Sequence, residues 1–135
     1  MRIRNYILAS LSLIVTLLIS CESDKRPEET VGTIPDVVSF SEHVLPIFEG
    51  KSDAILIEGK NGRACIDCHN GTTPPNLTAD FAYSEVTDGG FTNVDSPADS
   101  KIIKKITPGG SMNVYTNATD IAIIQKWIEQ GAQDN

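Results

Sequence analysis

The densest chemistry in this chain lies in five residues, Cys65-Ile66-Asp67-Cys68-His69. Two thiols three positions apart, followed at once by an imidazole, make a C-x-x-C-H run, the attachment signature of a c-type haem. Each thiol can add across a haem vinyl group and leave a thioether. Two intervening residues make one helical turn, which spaces the sulfurs for the two vinyls. His69 then follows as the proximal ligand to iron. Other chemistries use the same residue types. A thioredoxin-like redox pair needs a βαβ setting, and no such pattern is visible. A structural zinc site needs four ligands, and only His43 and carboxylates are left to complete one. A plain disulfide between Cys65 and Cys68 in a protein without haem is a further reading.

A second axial ligand has two candidates. Met112 is the only methionine beyond the initiator. It ends the Gly-rich run Thr107-Pro108-Gly109-Gly110-Ser111-Met112, between two expected helices. A thioether is a soft donor that suits ferrous iron and raises the reduction potential. A lone methionine is also ordinary core filler. His43 is the only histidine besides His69, but Val44 and Ile47 make the apolar face of its helix, so His43 reads as a polar-face residue.

Several short helices must hold these groups in place. Ser39 and Glu42 have capping-box spacing ahead of Val44, Ile47 and Phe48, and Pro46 should bend or end that first helix. Thr78 can cap a short helix carrying Phe81, Ala82 and Val86, closed by Asp88-Gly89-Gly90. Ser96-Pro97-Ala98-Asp99 predicts a helix start, with the helix running to about Ile106 and burying Ile102, Ile103 and Ile106. Asn117 opens the best helix, with Ile121, Ile124, Trp127 and Ile128 on one face and Gly131 as its stop. Trp127 reads as core rather than as a reactive group. Glu49–Ala64 is a long spacer in which Ala54-Ile55-Leu56-Ile57 reads as a strand-like or helical insert.

The N-terminus predicts export. Arg2 and Arg4 precede an apolar run, Ile7 to Ile19, too short for a comfortable membrane span and typical of a signal peptide. The third cysteine, Cys21, follows Leu17-Leu18-Ile19-Ser20. That ending resembles a bacterial lipoprotein box, which implies cleavage before Cys21 and acyl chains on its sulfur and new amino group. Several acyl chains give a firm anchor where one is marginal. Residues 1–20 are then the signal peptide, 21–38 the lipidated cysteine and a flexible tether, and 39–135 the folded domain. The tether reading rests on charge, Pro27, Gly32 and Pro35, and the lack of a helical stripe. The net charge is −7, or −9 once Arg2 and Arg4 are removed. Such acidity argues against nucleic acid as a partner and suits solubility or basic partners.

The stretch from Phe40 to Ala132 resembles the small mono-haem bacterial c-type cytochrome domains. C-x-x-C-H, the downstream Met112, the opening Phe-Ser-x-x-Val-x-Pro-Ile-Phe and the closing Ile124–Ala132 helix carry the likeness. It implies an all-α, cytochrome c-like bundle of four to five short helices around one covalent haem c. Cys65 and Cys68 would attach the haem, and His69 and Met112 would be the proximal and distal axial ligands. The loop after His69 is similar to one whose proline carbonyl accepts a hydrogen bond from the proximal histidine, here Pro74 or Pro75. Pro75, Leu77, Phe81, Ile103 and Ile124 are the expected pocket residues. The implied function is one-electron transfer, as a carrier rather than an enzyme, by a monomer that docks transiently on redox partners. Its expected place is the bacterial cell envelope, on the periplasmic or cell-surface face, held by the N-terminal lipid. The alternative is a small-ligand sensor or peroxidase-like site with an open distal position. This chain departs from the family in the long 49–64 lead-in and in Asn113, where a proline often follows the methionine.

Overall fold

The structure is a computed structural model that describes residues 31–52 and 63–135. The expected signal peptide, Cys21 and the 54–57 insert lie outside these described residues. Among the described residues the protein is helical, with four α-helices and no strand: α1 (Leu45–Phe48), α2 (Ala82–Thr87), α3 (Lys101–Ile106) and α4 (Ala118–Glu129). Single tighter turns lie at Cys65–Asp67, Pro97–Asp99 and Asn113–Tyr115, and a wide π-helical turn, Phe40–Val44, runs directly into α1. Among the described residues no helix is long and apolar enough to cross a membrane.

Pro46 does not end the first helix. It sits in the first turn of α1, where a missing N–H costs little. The turn before it is wide, and Val44 N–H reaches the Ser39 carbonyl at 3.4 Å. Ser39 Oγ caps this turn by accepting from Glu42 N–H at 3.2 Å. Phe40, Val44, Ile47 and Phe48 are buried.

The expected 96–106 helix is two pieces. Asn93 Oδ1 takes the N–H groups of Asp95 and Ser96. Asn93 N–H in turn donates to the Ser100 hydroxyl at 2.9 Å. Ser100 is buried and extended, with ψ 136°, which breaks the helix between Asp99 and Lys101. Only α3 then continues, with Ile102, Ile103 and Ile106 buried and its lysines outward.

The closing helix follows the sequence closely. Asn117 Oδ1 accepts from Asp120 N–H at 2.7 Å, while the Asp120 carboxylate accepts from Asn117 N–H at 3.4 Å. Gly131, at φ +97°, stops it in a conformation that glycine adopts without strain. Trp127 is fully buried, its ring centroid 5.2 Å from Phe40 and 6.3 Å from Tyr83. α4 thus crosses the first helical segment through an aromatic cluster that Phe48 extends toward Cys65 and Cys68.

The packed unit begins before residue 39. Val38 is buried in the core and its N–H donates to Gln130 Oε1 at 2.9 Å. Gln130 Nε2 donates to the Asp36 carbonyl, and Gly32 N–H to Thr119 Oγ1. The last residues of the expected 21–38 tether therefore lie against α4.

Candidate functional site

The C-x-x-C-H residues form a tight turn with a built entrance. Asp67 Oδ2 accepts from Ala64 N–H at 3.0 Å, and Cys68 N–H and His69 N–H both donate to the Cys65 carbonyl, at 3.2 and 2.9 Å. In a 3₁₀ turn, residues three apart eclipse one another, so the two sulfur-bearing positions share a side. Cys65 and Cys68 are both free thiols. Cys65 is half-buried and Cys68 exposed. Burial pushes the Cys65 thiol up to about 11, and the charge of Asp120 adds to the effect. Cys65 is therefore a protonated thiol at neutral pH.

The loop after the turn returns under the histidine. Leu77 N–H donates to the His69 carbonyl at 2.7 Å and closes the 69–77 loop. His69 Nδ1 lies 3.1 Å from the Thr73 carbonyl and 3.2 Å from the Pro75 carbonyl. A carbonyl only accepts, so Nδ1 is the donor, which is the tautomer that leaves the Nε2 lone pair available when the ring is neutral. Of the two prolines considered in the sequence, the contact is with Pro75. This is the arrangement that fixes ring and tautomer behind a metal-ligating histidine.

His69 lines a cavity of about 380 Å³, within the range of roughly 300–1,000 Å³ typical of ligand and cofactor sites. Cys65, Cys68, Pro75, Leu77 and Met112 line the same cavity. Residues 43 positions apart in sequence, His69 and Met112, thus meet at one site. Met112 is brought there by the Gly-rich loop. Its N–H donates to the Lys105 carbonyl at 2.8 Å, so the loop folds back onto the end of α3. A Cβ at Gly110 would collide with the carbonyls of Lys104 and Lys105, so only glycine permits this close return.

Three expected pocket residues lie elsewhere. Phe81 precedes α2 and is 52% exposed, outside the cavity lining. α2 begins at Ala82, and Ala82 and Val86 take its inner face. Ile103 and Ile124 are buried in the hydrophobic core and do not line the cavity. The walls the sequence reading missed are Phe48, Val86, Phe91, Ile102, Ile106 and Tyr115. Ile102 and Ile106 are four apart and share a helix face, whereas Ile103 is turned away by one residue step; that spacing was a usable signal. Phe91 carried none. It is positioned by hydrogen bonds of its N–H to Val86 and its carbonyl from Ile102 N–H.

His43 does not line the cavity. Its Nδ1 accepts from Ser39 N–H at 3.0 Å, so it serves the first turn. Among the described residues no three His, Cys, Asp or Glu side chains gather to hold a metal ion, which leaves the four-ligand zinc reading without a ligand set there. The donors that do converge are one imidazole and one thioether, with two thiols alongside and apolar walls between. That set fits a haem, which takes two axial ligands and two thioether bonds. Comparison with protein-family models, with curated proteins and with solved structures gives no match.

Proposed function

We propose that this protein is a mono-haem c-type cytochrome, of the cytochrome c-like class, whose function is one-electron transfer. The observation that supports it most is the convergence of Cys65, Cys68, His69 and Met112 on one largely apolar cavity. Bound there, haem c supplies a ferric/ferrous couple. Cys65 and Cys68 would hold the group through thioether bonds. His69, its Nδ1 proton held by the Thr73 and Pro75 carbonyls, offers Nε2 as a donor of set orientation. Met112, on a loop pinned to α3, would offer its sulfur as a second donor. Leu77, Val86, Ile102 and Ile106 exclude water and raise the cost of charge inside the site. Two donors held in place by the fold would suit a carrier rather than an enzyme.

The same reading includes export and anchoring through a lipid on Cys21, which rest on the sequence. Coexpression of the full chain with c-type maturation machinery tests the haem. The expected product stains for haem on a denaturing gel and gives a six-coordinate low-spin spectrum indifferent to carbon monoxide. Replacing both Cys65 and Cys68 by serine abolishes the stain. A wild-type chain without covalent haem sinks the proposal; a high-spin haem that binds carbon monoxide rapidly replaces it with the sensor or peroxidase-like alternative.

A further inference from the structure

The loop that carries the two carbonyls behind His69 holds a reactive dipeptide of its own. Asn-Gly occurs twice in the chain, at Asn61 and at Asn70, and Asn70 is the one among the described residues. It follows His69 directly. Asparagine is a thermolabile side chain, because its amide is open to attack by the backbone nitrogen of the next residue. Glycine obstructs that attack least, having no Cβ. Asn76, Asn93, Asn113 and Asn117 all precede residues with side chains. Asn70, Gly71 and Thr72 are exposed, so water reaches them. Asn70 Oδ1 accepts from Thr72 N–H at 3.3 Å. That contact turns the side-chain amide back over the Gly71 peptide and polarises its carbonyl toward attack. Among the described residues the Gly71 N–H is engaged in no hydrogen bond.

We propose that Asn70-Gly71 is a site of spontaneous deamidation, and that its isoaspartyl product releases His69 from the Thr73 and Pro75 carbonyls. The Gly71 nitrogen bonds to Asn70 Cγ, the Cγ–Nδ2 bond breaks, and ammonia leaves with the Gly71 proton. Water then opens the cyclic succinimide, at Cγ to give aspartate or at the main-chain carbonyl to give isoaspartate. Neither step needs an oxidant or a reductant. Both products place a new carboxylate beside His69. Isoaspartate also lengthens the main chain by a methylene between His69 and Thr73. That stretch is tied at several points. Leu77 N–H closes it on the His69 carbonyl at 2.7 Å, and the Thr73 and Pro75 carbonyls lie 3.1 and 3.2 Å from His69 Nδ1. Asn76 Nδ2 lies 3.5 Å from where a Cβ on Gly71 would stand, so the loop is packed across its own middle. An added main-chain atom therefore moves residues 73–75 off the ring. The effect on electron transfer rests on the haem reading of the cavity; the deamidation does not.

The test ages the haem-loaded full chain in mildly alkaline buffer, beside the same chain unfolded in urea. Position 70 is read by peptide mapping with isoaspartyl methyltransferase labelling, which separates it from Asn61. Asn70 is expected to convert in the folded protein at a rate comparable to that in urea, with an acid shift on isoelectric focusing that Asn70→Gln reduces. An Asn70 that stays intact in the folded protein while converting in urea overturns the proposal. The isoaspartyl fraction, isolated by ion exchange, is then compared with freshly prepared Asn70→Asp, which has the same charge without the extra methylene. The carbonyl contacts raise the basicity of the imidazole, so their loss disfavours ferric iron. The isoaspartyl form should therefore have the higher reduction potential of the two, and its His69 Nδ1 proton should exchange faster by NMR. Agreement of the two forms in both measurements overturns the release of His69. Absence of covalent haem on a gel fails the electron-transfer reading itself, while the mapping and the His69 proton are still read on that chain.

Discussion

Two regions of this small protein are built from similar residues and do different things. In the aromatic cluster, Phe40, Tyr83 and Trp127 pack on one another with centroids 5.2–6.3 Å apart. Their polar atoms are satisfied nearby: Tyr83 OH donates to the Ala132 carbonyl and Trp127 Nε1 to the Gln133 carbonyl. Around the cavity, Leu77, Val86, Ile102 and Ile106 turn equally apolar surface toward a shared space. The cluster is made by helices meeting helices. The cavity is made where faces of α2 and α3 meet two loops, 69–77 and 107–112, each tied to the chain by a few backbone hydrogen bonds. Its helical walls belong to the same core as the cluster, while the loops bring in His69 and Met112. Phe48 belongs to both regions, with its ring 6.4 Å from Phe40 and its side chain in the cavity wall.

Substitutions sharpen or break this division. Trp127→Ala should have the largest effect on the fold, a loss of about 3–5 kcal/mol read by denaturant unfolding, because it empties the centre of the aromatic cluster. Met112→Ala should cost only about 1 kcal/mol, as its side chain is half-buried. It should nevertheless abolish the far-red sulfur–iron band of the haem-loaded protein and lower its potential; an unchanged band removes Met112 as ligand. Gly110→Ala should act in the same direction but partially, weakening that band by displacing the loop from the Lys104 and Lys105 carbonyls. If the band survives intact, the close return of the chain is not what positions Met112.

The smallest effect belongs to Asp99. Its carboxyl is held below the usual carboxylate range by the hydrogen bond and charge of Lys104. A depressed folded-state value contributes stability above the ordinary carboxylate pKa, lost as pH falls through the lower, folded one. The group is fully exposed, so the contribution is small. Asp99→Asn should slightly flatten the acid limb of the stability profile and leave the haem spectrum untouched. A spectral change would couple this surface pair to the cavity.

Much of the molecule was legible because its signals are local. The capping pair Asn117/Asp120, the apolar spacing of Ile124, Trp127 and Ile128 and the stop at Gly131 all act within a few residues of α4. The 65–69 turn is likewise written in five consecutive residues. Errors arose where a local signal met a competitor elsewhere in the chain. Ser96-Pro97 has the form of a helix start, but Asn93 takes the Ser96 N–H and binds Ser100, so the α-helix begins four residues later. Phe81 has pocket-like chemistry, but Ala82 and Val86 occupy the inner face of α2 and turn it outward.

By itself the sequence determined the short helices, most of their ends, and the 65–69 turn with its two thiols and imidazole, because caps, periodicity and motif spacing are short-range properties. Tertiary structure alone decided that Met112 and His69 line one cavity, that Pro75 rather than Pro74 contacts the ring, and that Ile102 rather than Ile103 lines the cavity. Each of these depends on how separate segments approach in space, which packing and backbone hydrogen bonds fix only once the chain has closed on itself.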